Sequence, residues 1–329
     1  MMIFRQFFDS TSSTYTYLIS SGHGREALII DPVLEKTDQY ISLVNQLDLR
    51  LVKVIDTHIH ADHISGLAEL RDRTKCITIM GDHAPANVVS MNVKDNEKIS
   101  IENIDLTALY TPGHTDDSYS FLMNDRVFTG DTLLIKGTGR TDFQNGNPYD
   151  QYNSLFDRLL KLPEETFIYP AHDYKGESVS TIGEEKNFNP RLQVNSAQEY
   201  ALIMNNLNLA DPKMMDIAVP ENKNLGFNKD KQKDLNGISY DRLKNLSESD
   251  EVLLIDLREP TEIKKKPSLL NSINVSYSGL QEYLRKEKLI NKTLIFYCAV
   301  GERSALAIQI SQSYQIKQTY HLVGGLNNL

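Results

Sequence analysis

The chain has 329 residues, enough for two hydrophobic cores without a disulfide framework. Its 35 Lys plus Arg against 44 Asp plus Glu give a net charge of −9 with no basic run, which argues against general binding of nucleic acid or an anionic membrane. Its two cysteines, Cys76 and Cys298, lie in unlike contexts, and no apolar run approaches a membrane span, so a reducing, cytoplasmic setting is expected.

From the N-terminus, β-rich runs alternate with turns and helical stretches. Residues 14–19 and 27–30 read as strands, joined by the turn Ser-Gly-His-Gly at 21–24. Residues 49–55 form another apolar strand, and helical patterns cover 38–45, 65–73 and 149–161. Directly after the third strand comes T-H-I-H-A-D-H, residues 57–63, with three imidazoles and a carboxylate within six positions. Neutral imidazole and carboxylate are the common ligands of zinc and iron.

The same arrangement then recurs in smaller form. Residues 106–110 run into T-P-G-H, ending at His114; 126–128 run into T-G-D, ending at Asp131; 167–169 run into P-A-H, ending at His172. Each candidate ligand lies just past a β-rich run, where α/β architectures assemble their sites. A lone histidine is usually a packed or surface residue, and His23 and His83 are read that way. Four segments imitating one arrangement are a different matter.

Residues 222–237 turn polar, rich in Lys, Asn, Asp and Gly, and read as a linker. Beyond it, 252–256 and 293–297 are near-continuous apolar runs, as expected of parallel strands buried on both faces, alternating with helical patterns at 280–288 and 304–314. This is a small α/β domain. Its second strand runs into C-A-V-G-E-R-S and then a helix, which puts Cys298 at the mouth of a loop lined by amides and a helix N-terminus. That setting favours a thiolate, and Arg303 adds positive charge. Cys76 reads as structural.

His58, His60, Asp62 and His63, followed by His114, Asp131 and His172, resemble the ligand set of the metallo-β-lactamase fold family. The resemblance implies an αββα sandwich with a metal site at one edge. Further strings narrow it: I-D-P-V-L-E at 30–35, T-G-D-T-L-L-I-K-G-T-G-R-T-D-F-Q at 129–144, Y-P-A-H-D-Y-K-G at 169–176, N-P-R at 189–191 and N-L-N-L at 206–209. Together these look like the persulfide dioxygenase branch of that fold, over nearly all of residues 1–228.

That likeness implies a single Fe(II) per chain held by His58, His114 and Asp131, a facial set with three positions open. His60, Asp62, His63 and His172 would orient ligands and water around it. Arg140, Tyr174 and Lys175 would bind substrate, Arg140 foremost because its planar fork suits a carboxylate. The implied reaction oxidises the outer sulfur of glutathione persulfide, or a similar small persulfide, with O2 to sulfite and thiol.

After the linker, I-D-L-R-E at 255–259, the C-x-x-G-x-R loop and H-L-V-G-G-L near the end resemble a rhodanese domain over residues 236–329. Its implied chemistry is a persulfide on Cys298, with Arg303 beside it, moving sulfur between thiosulfate or sulfite and a thiol or persulfide. The segment before Asn274 lacks the Gly-His common in rhodaneses. Two rival readings stand: a binuclear zinc hydrolase of glutathione thioesters, glyoxalase II-like, with the same sulfurtransferase, and a non-catalytic persulfide-binding relay or sensor. A homo-oligomer is compatible with all three.

Overall fold

The computed structural model describes residues 1–84, 89–226, 229–249, 251–287, 289, 291–316 and 318–329. The chain divides into two compact units, one drawn from residues up to Asn224 and the other chiefly from Leu225 onward.

The first unit holds two six-stranded sheets. One runs in chain order through β1 (Ile3–Asp9), β2 (Thr14–Ser20), β3 (Glu26–Ile30), β4 (Arg50–Ile55), β5 (Ile77–Gly81) and β6 (Met91–Val93). Strands β1 to β3 form an antiparallel meander, whereas β3, β4 and β5 pair in parallel. Parallel neighbours need a crossover, and the helices Thr37–Gln46 and Leu67–Thr74 supply it. The second sheet contains β7 (Lys98–Ile101), β8 (Ile104–Tyr110), β9 (Tyr119–Leu122), β10 (Arg126–Gly130), β11 (Phe167–Pro170) and β12 (Ser180–Thr181), in reverse order from β12 to β7.

Aromatic side chains join the two sheets. Phe4 of β1 meets Tyr169 of β11 edge-on with ring centroids 4.9 Å apart, and Tyr17 of β2 meets Phe128 of β10 at 5.0 Å. Such pairs contribute about 0.5–1.5 kcal/mol each beyond the area they bury. The buried Tyr17 hydroxyl donates to the Pro170 carbonyl at 2.6 Å, so the layer carries no stranded donor there. On the other face of the second sheet, Leu109, Val127 and Ile168 pack with Leu155, Leu159, Tyr200 and Met204. The result is the expected αββα layering.

The second unit is a five-stranded sheet of β13 (Gly237–Ile238), β14 (Val252–Asp256), β15 (Ser272–Asn274), β16 (Thr293–Tyr297) and β17 (Thr319–Leu322). The order is β13-β17-β16-β14-β15 and every pairing is parallel. Central β16 is buried from Leu294 to Tyr297, which is why its sequence shows no polar alternation. Among the described residues no helix is long and apolar enough to cross a membrane.

Two sequence expectations need correction. The helix expected over 149–161 is a helix only at Pro148–Asn153, followed by a wider five-residue turn at Ser154–Arg158 and a 3₁₀ turn at Leu159–Lys161. The stretch read as a solvated linker, 222–237, is structured where described; residues 227 and 228 lie outside the described residues. Asn222 ends the helix Met215–Asn222, Lys229–Asp234 is helical, and Gly237 opens β13. Asn222 and Gln232 are both buried. Their carboxamides hydrogen-bond main-chain groups, so a polar composition here marks anchoring rather than hydration. The helical pattern at 280–288 is observed as Leu280–Lys286, and residue 288 lies outside the described residues.

Candidate metal and sulfur-carrier sites

Strand ends deliver the candidate metal-site residues. His58 follows β4, His114 follows β8, Asp131 follows β10 and His172 follows β11. Ligand atoms of His58, His114 and Asp131 lie within 4.8 Å of one another, and all three side chains are buried. Glycine is required beside them: a Cβ at Gly139 would collide with the Asp131 carbonyl and reach within 2.8 Å of His114 Nδ1.

Hydrogen bonds decide which nitrogen each imidazole presents. The Arg140 carbonyl can only accept, so His114 Nδ1–H donates to it at 2.7 Å, which leaves Nε2 as the nitrogen facing Asp131. Asp31 accepts the Thr57 N–H at 2.7 Å and the Thr57 hydroxyl at 3.1 Å. With its proton on Asp31, Thr57 Oγ1 accepts from His58 Nδ1 at 2.9 Å, and His58 Nε2 is free to bind a metal. Burial, helped by neighbouring His60 and His114, holds His58 well below the usual imidazole range, so it is neutral. Burial alone would raise Asp131, but His172, His114 and His58 outweigh it and keep the carboxylate charged. Two imidazoles and one carboxylate fit a divalent cation.

His60, Asp62, His63 and His172 form a second cluster. It is knit by its own hydrogen bonds. His172 Nδ1 lies 2.7 Å from Asp131 Oδ1 and its Nε2 lies 2.8 Å from Asp62 Oδ2. Burial would discharge that ring, but the two carboxylates overrule it and raise His172 well above the usual range. It is an imidazolium donating both N–H groups. The buried Thr14 hydroxyl sits 3.2 Å from Asp62 Oδ2, 3.3 Å from His63 Nδ1 and 3.1 Å from His172 Nε2. His60 Nδ1 and His63 Nε2 have no hydrogen-bond partner among the described residues.

Asn222 holds this loop from far along the chain. Its carbonyl oxygen accepts the Ser65 N–H at 2.8 Å, and its amide donates to the carbonyls of His60 and His63, each at 2.9 Å. Asn222→Asp keeps the shape but turns two donors into a buried charge facing carbonyls. The expected cost is about 3 kcal/mol, within the range for leaving buried groups unpaired, read as a lower denaturation midpoint in urea.

The residues expected to bind substrate are differently placed. Arg140 donates Nε and Nη2 to Asp142 at 2.6 and 2.7 Å and Nη1 to the Ala210 carbonyl at 2.6 Å, so its fork is already occupied. The ring of exposed Tyr174 lies nearly parallel to that of His172, with centroids 6.1 Å apart. Lys175 is exposed, and its N–H donates to Asp173 Oδ2 at 2.9 Å.

In the second unit Cys298 lies not at the mouth of its loop but beneath it, with no exposed surface. Gly301 N–H donates to Sγ at 3.2 Å, and Ser304 Oγ lies 3.7 Å away. The loop folds over because Gly301 adopts φ +87°, and a Cβ there would strike Gln232 Oε1. Leu326 and Asn327 N–H groups close it from below, on the carbonyls of Cys298 and Ala299, both at 2.9 Å. Arg303 is also buried, and its fork lies on Glu262 through two 2.7 Å bonds. The free cation expected beside Cys298 is therefore a matched ion pair that ties the loop to the helix Pro260–Lys265.

Comparison with known proteins agrees with this division. Residues 10–87 and 79–172 match the metallo-beta-lactamase superfamily, and 239–329 match the rhodanese-like domain. Over 228 residues the chain is 42% identical to the human mitochondrial persulfide dioxygenase ETHE1, covering 68% of this chain and 89% of that one. The chain belongs to the persulfide dioxygenase family. The crystal structure of ETHE1 from Myxococcus xanthus is 50% identical, with TM-score 0.67, and matches 68% of this chain and all of that one. A metallo-beta-lactamase structure from Staphylococcus aureus matches 98% of both chains with TM-score 0.63; at 23% identity it speaks for the fold alone.

This persulfide dioxygenase is thus a metal-dependent enzyme of the metallo-β-lactamase fold with a C-terminal rhodanese domain that points to sulfur transfer. Its site includes residues to which sequence reasoning gave no role: Asp31, Thr57, Thr14 and Asn222. Asp31 left a signal, an acid directly ending an apolar strand, and Thr57 stands beside His58 in the T-H-I-H-A-D-H string. Thr14 and Asn222 act through contacts between residues up to 162 positions apart, and no local pattern announces them.

Proposed function

We propose that the first unit oxidises the outer sulfur of glutathione persulfide, or a close low-molecular-weight analogue, using one ferrous ion held by His58, His114 and Asp131. In balance, one persulfide, one O2 and one water give a thiol, sulfite and two protons. The reading is supported by the His58–His114–Asp131 cluster, two imidazoles and a carboxylate whose ligand atoms lie within 4.8 Å of one another; in the neighbouring cluster His172 and Asp62 are hydrogen-bonded to each other and to Thr14, and His60 Nδ1 and His63 Nε2 stay unpartnered among the described residues. A bound ferrous ion would supply the redox chemistry that O2 needs. The protein's part is positional. The Thr57 and Arg140 contacts hold the two imidazoles in the ligating tautomer. His172 holds Asp131, and His60, Asp62 and His63 support it.

Arg140, Tyr174 and Lys175 are assigned to the substrate. Asp142 is exposed enough to turn to water, so a substrate carboxylate can take its place on the Arg140 fork. Arg140→Ala should raise KM for glutathione persulfide with kcat little changed, by a loss on the order of 1.5–3 kcal/mol. Unchanged KM and kcat for every persulfide tried would remove Arg140 from the site.

We also propose that Cys298 carries sulfur as a persulfide between thiosulfate or sulfite and a thiol or its persulfide, with the Arg303–Glu262 pair fixing the loop. Residues 1–228 and 236–329 are proposed as separately folding domains, a division that the two compact units and the family matches support. Two free cysteines suit a reducing, cytoplasmic setting. The decisive experiment is metal analysis of protein purified without oxygen, followed by persulfide-dependent oxygen uptake. About one iron per chain with turnover is expected. Two zinc ions with thioester hydrolysis would install the hydrolase instead, and persulfide binding without turnover would install the sensor.

A further inference from the structure

Behind Cys298 lies a line of polar groups that sulfur transfer through the loop amides does not use. Ser304 Oγ stands 3.7 Å from Sγ and 3.2 Å from His321 Nδ1. His321 Nε2 lies 2.7 Å from the Gln232 carbonyl, and Cys298, Ser304 and His321 are all wholly buried. The carbonyl can only accept, so the ring proton is on Nε2. Nδ1 therefore offers a lone pair to Ser304. Burial holds His321 below the usual imidazole range, so the resting ring is neutral and able to accept.

The hydroxyl has one proton and two places to put it. The Gly301 carbonyl is 3.1 Å from Ser304 Oγ, and His321 Nδ1 competes with it. With that proton turned to Nδ1, the oxygen faces Sγ with a lone pair and receives the thiol proton. A nucleophile, an acceptor within reach and a third group orienting the acceptor make up the usual constellation of an activated nucleophile. Here the acceptor acts through an intervening hydroxyl.

We propose that Ser304 and His321 form a proton relay that removes the thiol proton of Cys298. As the S–H proton passes to Ser304 Oγ, the hydroxyl proton passes to His321 Nδ1. No heavy-atom bond changes and no charge is lost. The products are a thiolate, a serine hydroxyl that now donates to it, and an imidazolium whose other N–H stays on Gln232. The Gly301 N–H already aimed at Sγ stabilises the thiolate. When persulfide sulfur leaves Cys298 for an acceptor, the relay runs backward and reprotonates the thiol.

The relay rests on the reading of Cys298 as sulfur carrier. Charged groups on the surrounding elements are Glu302 and Arg303 on the same helix, Glu259 and Glu262 from the helix Pro260–Lys265, and the Asp256–Arg258 pair at the end of β14. All stay in place in the variants below, so a shift between variants reports the relay.

The test is an ultraviolet titration of the full chain at 240 nm, where thiolate absorbs, with Cys298→Ser subtracted. In Ser304→Ala and His321→Gln the Cys298 thiolate should emerge about one pH unit higher than in the parent, and Ser304→Thr should restore it. Gln at 321 keeps a donor for the Gln232 carbonyl but gives Ser304 no base. Sulfur transfer from thiosulfate to cyanide should fall about tenfold in kcat/KM at pH 7 and converge with the parent at high pH. Superimposable titrations and rate profiles would overturn the relay. Sulfur transfer that survives Cys298→Ser would instead overturn the carrier reading, whatever the titrations show.

Discussion

Asp131→Asn should abolish persulfide-dependent oxygen uptake in a protein that still folds. The carboxylate has two tasks that an amide of the same shape cannot perform. It supplies the anionic member of the ligand set, 3.5 Å from His114 Nε2, and it accepts the His172 N–H at 2.7 Å. Losing an outer partner of a metal site costs about 10–100-fold in affinity or activity. Losing a ligand together with its charge exceeds that, because His172 is then an imidazolium with one carboxylate, Asp62, instead of two. The oxygen electrode should read background, and iron in the purified protein should fall to a small fraction of the parent. Full iron content with undiminished uptake would remove Asp131 from the ligand set. Circular dichroism separates either result from simple unfolding.

The clustering of the candidate ligands was legible in sequence because each follows a strand end. Each strand from β4 through β11 that carries a site residue ends in a short polar signature, and a side chain just past a strand can point at one place only. His58, His114 and Asp131 come together for that reason, as do His60, Asp62, His63 and His172. The parallel sheet of the second unit was equally readable, since strands buried on both faces lose their polar alternation. What stayed hidden depends on pairing across long separations. Arg140 and Arg303 read as free cations, but Asp142 and Glu262 occupy their forks, and a sequence does not show which carboxylate a guanidinium will find. Residues 222–237 read as solvent-facing because they are polar. Asn222 and Gln232 are nevertheless buried, since a carboxamide with donor and acceptor both engaged tolerates the interior.

Cys298→Ser should eliminate sulfur transfer from thiosulfate to a thiol while leaving oxygen uptake with supplied persulfide close to that of the parent. The argument begins with the chemistry: sulfur transfer needs a thiolate nucleophile, and a serine hydroxyl is essentially never ionised near neutral pH. The other cysteine cannot substitute. Cys76 is buried just before β5, in the first unit, away from the loop that holds Cys298. The effect on oxygen uptake should be small because the metal-site side chains all come from residues 58–172, and Asn222, which holds their loop, still lies within the first unit. On the proposed chemistry the two activities are nevertheless joined. Sulfite released by persulfide oxidation would accept sulfur from a Cys298 persulfide and leave as thiosulfate; run the other way, thiosulfate would charge a thiol with sulfur for the metal site to oxidise. In a coupled assay with a fixed amount of persulfide and excess O2, the parent should therefore accumulate thiosulfate, one for every two persulfides and one O2, and Cys298→Ser should accumulate sulfite in its place, one for every persulfide and O2. Full sulfur transfer in the variant would displace Cys298 as the carrier. Loss of oxygen uptake in a folded, iron-loaded variant would show that the two sites are not separable.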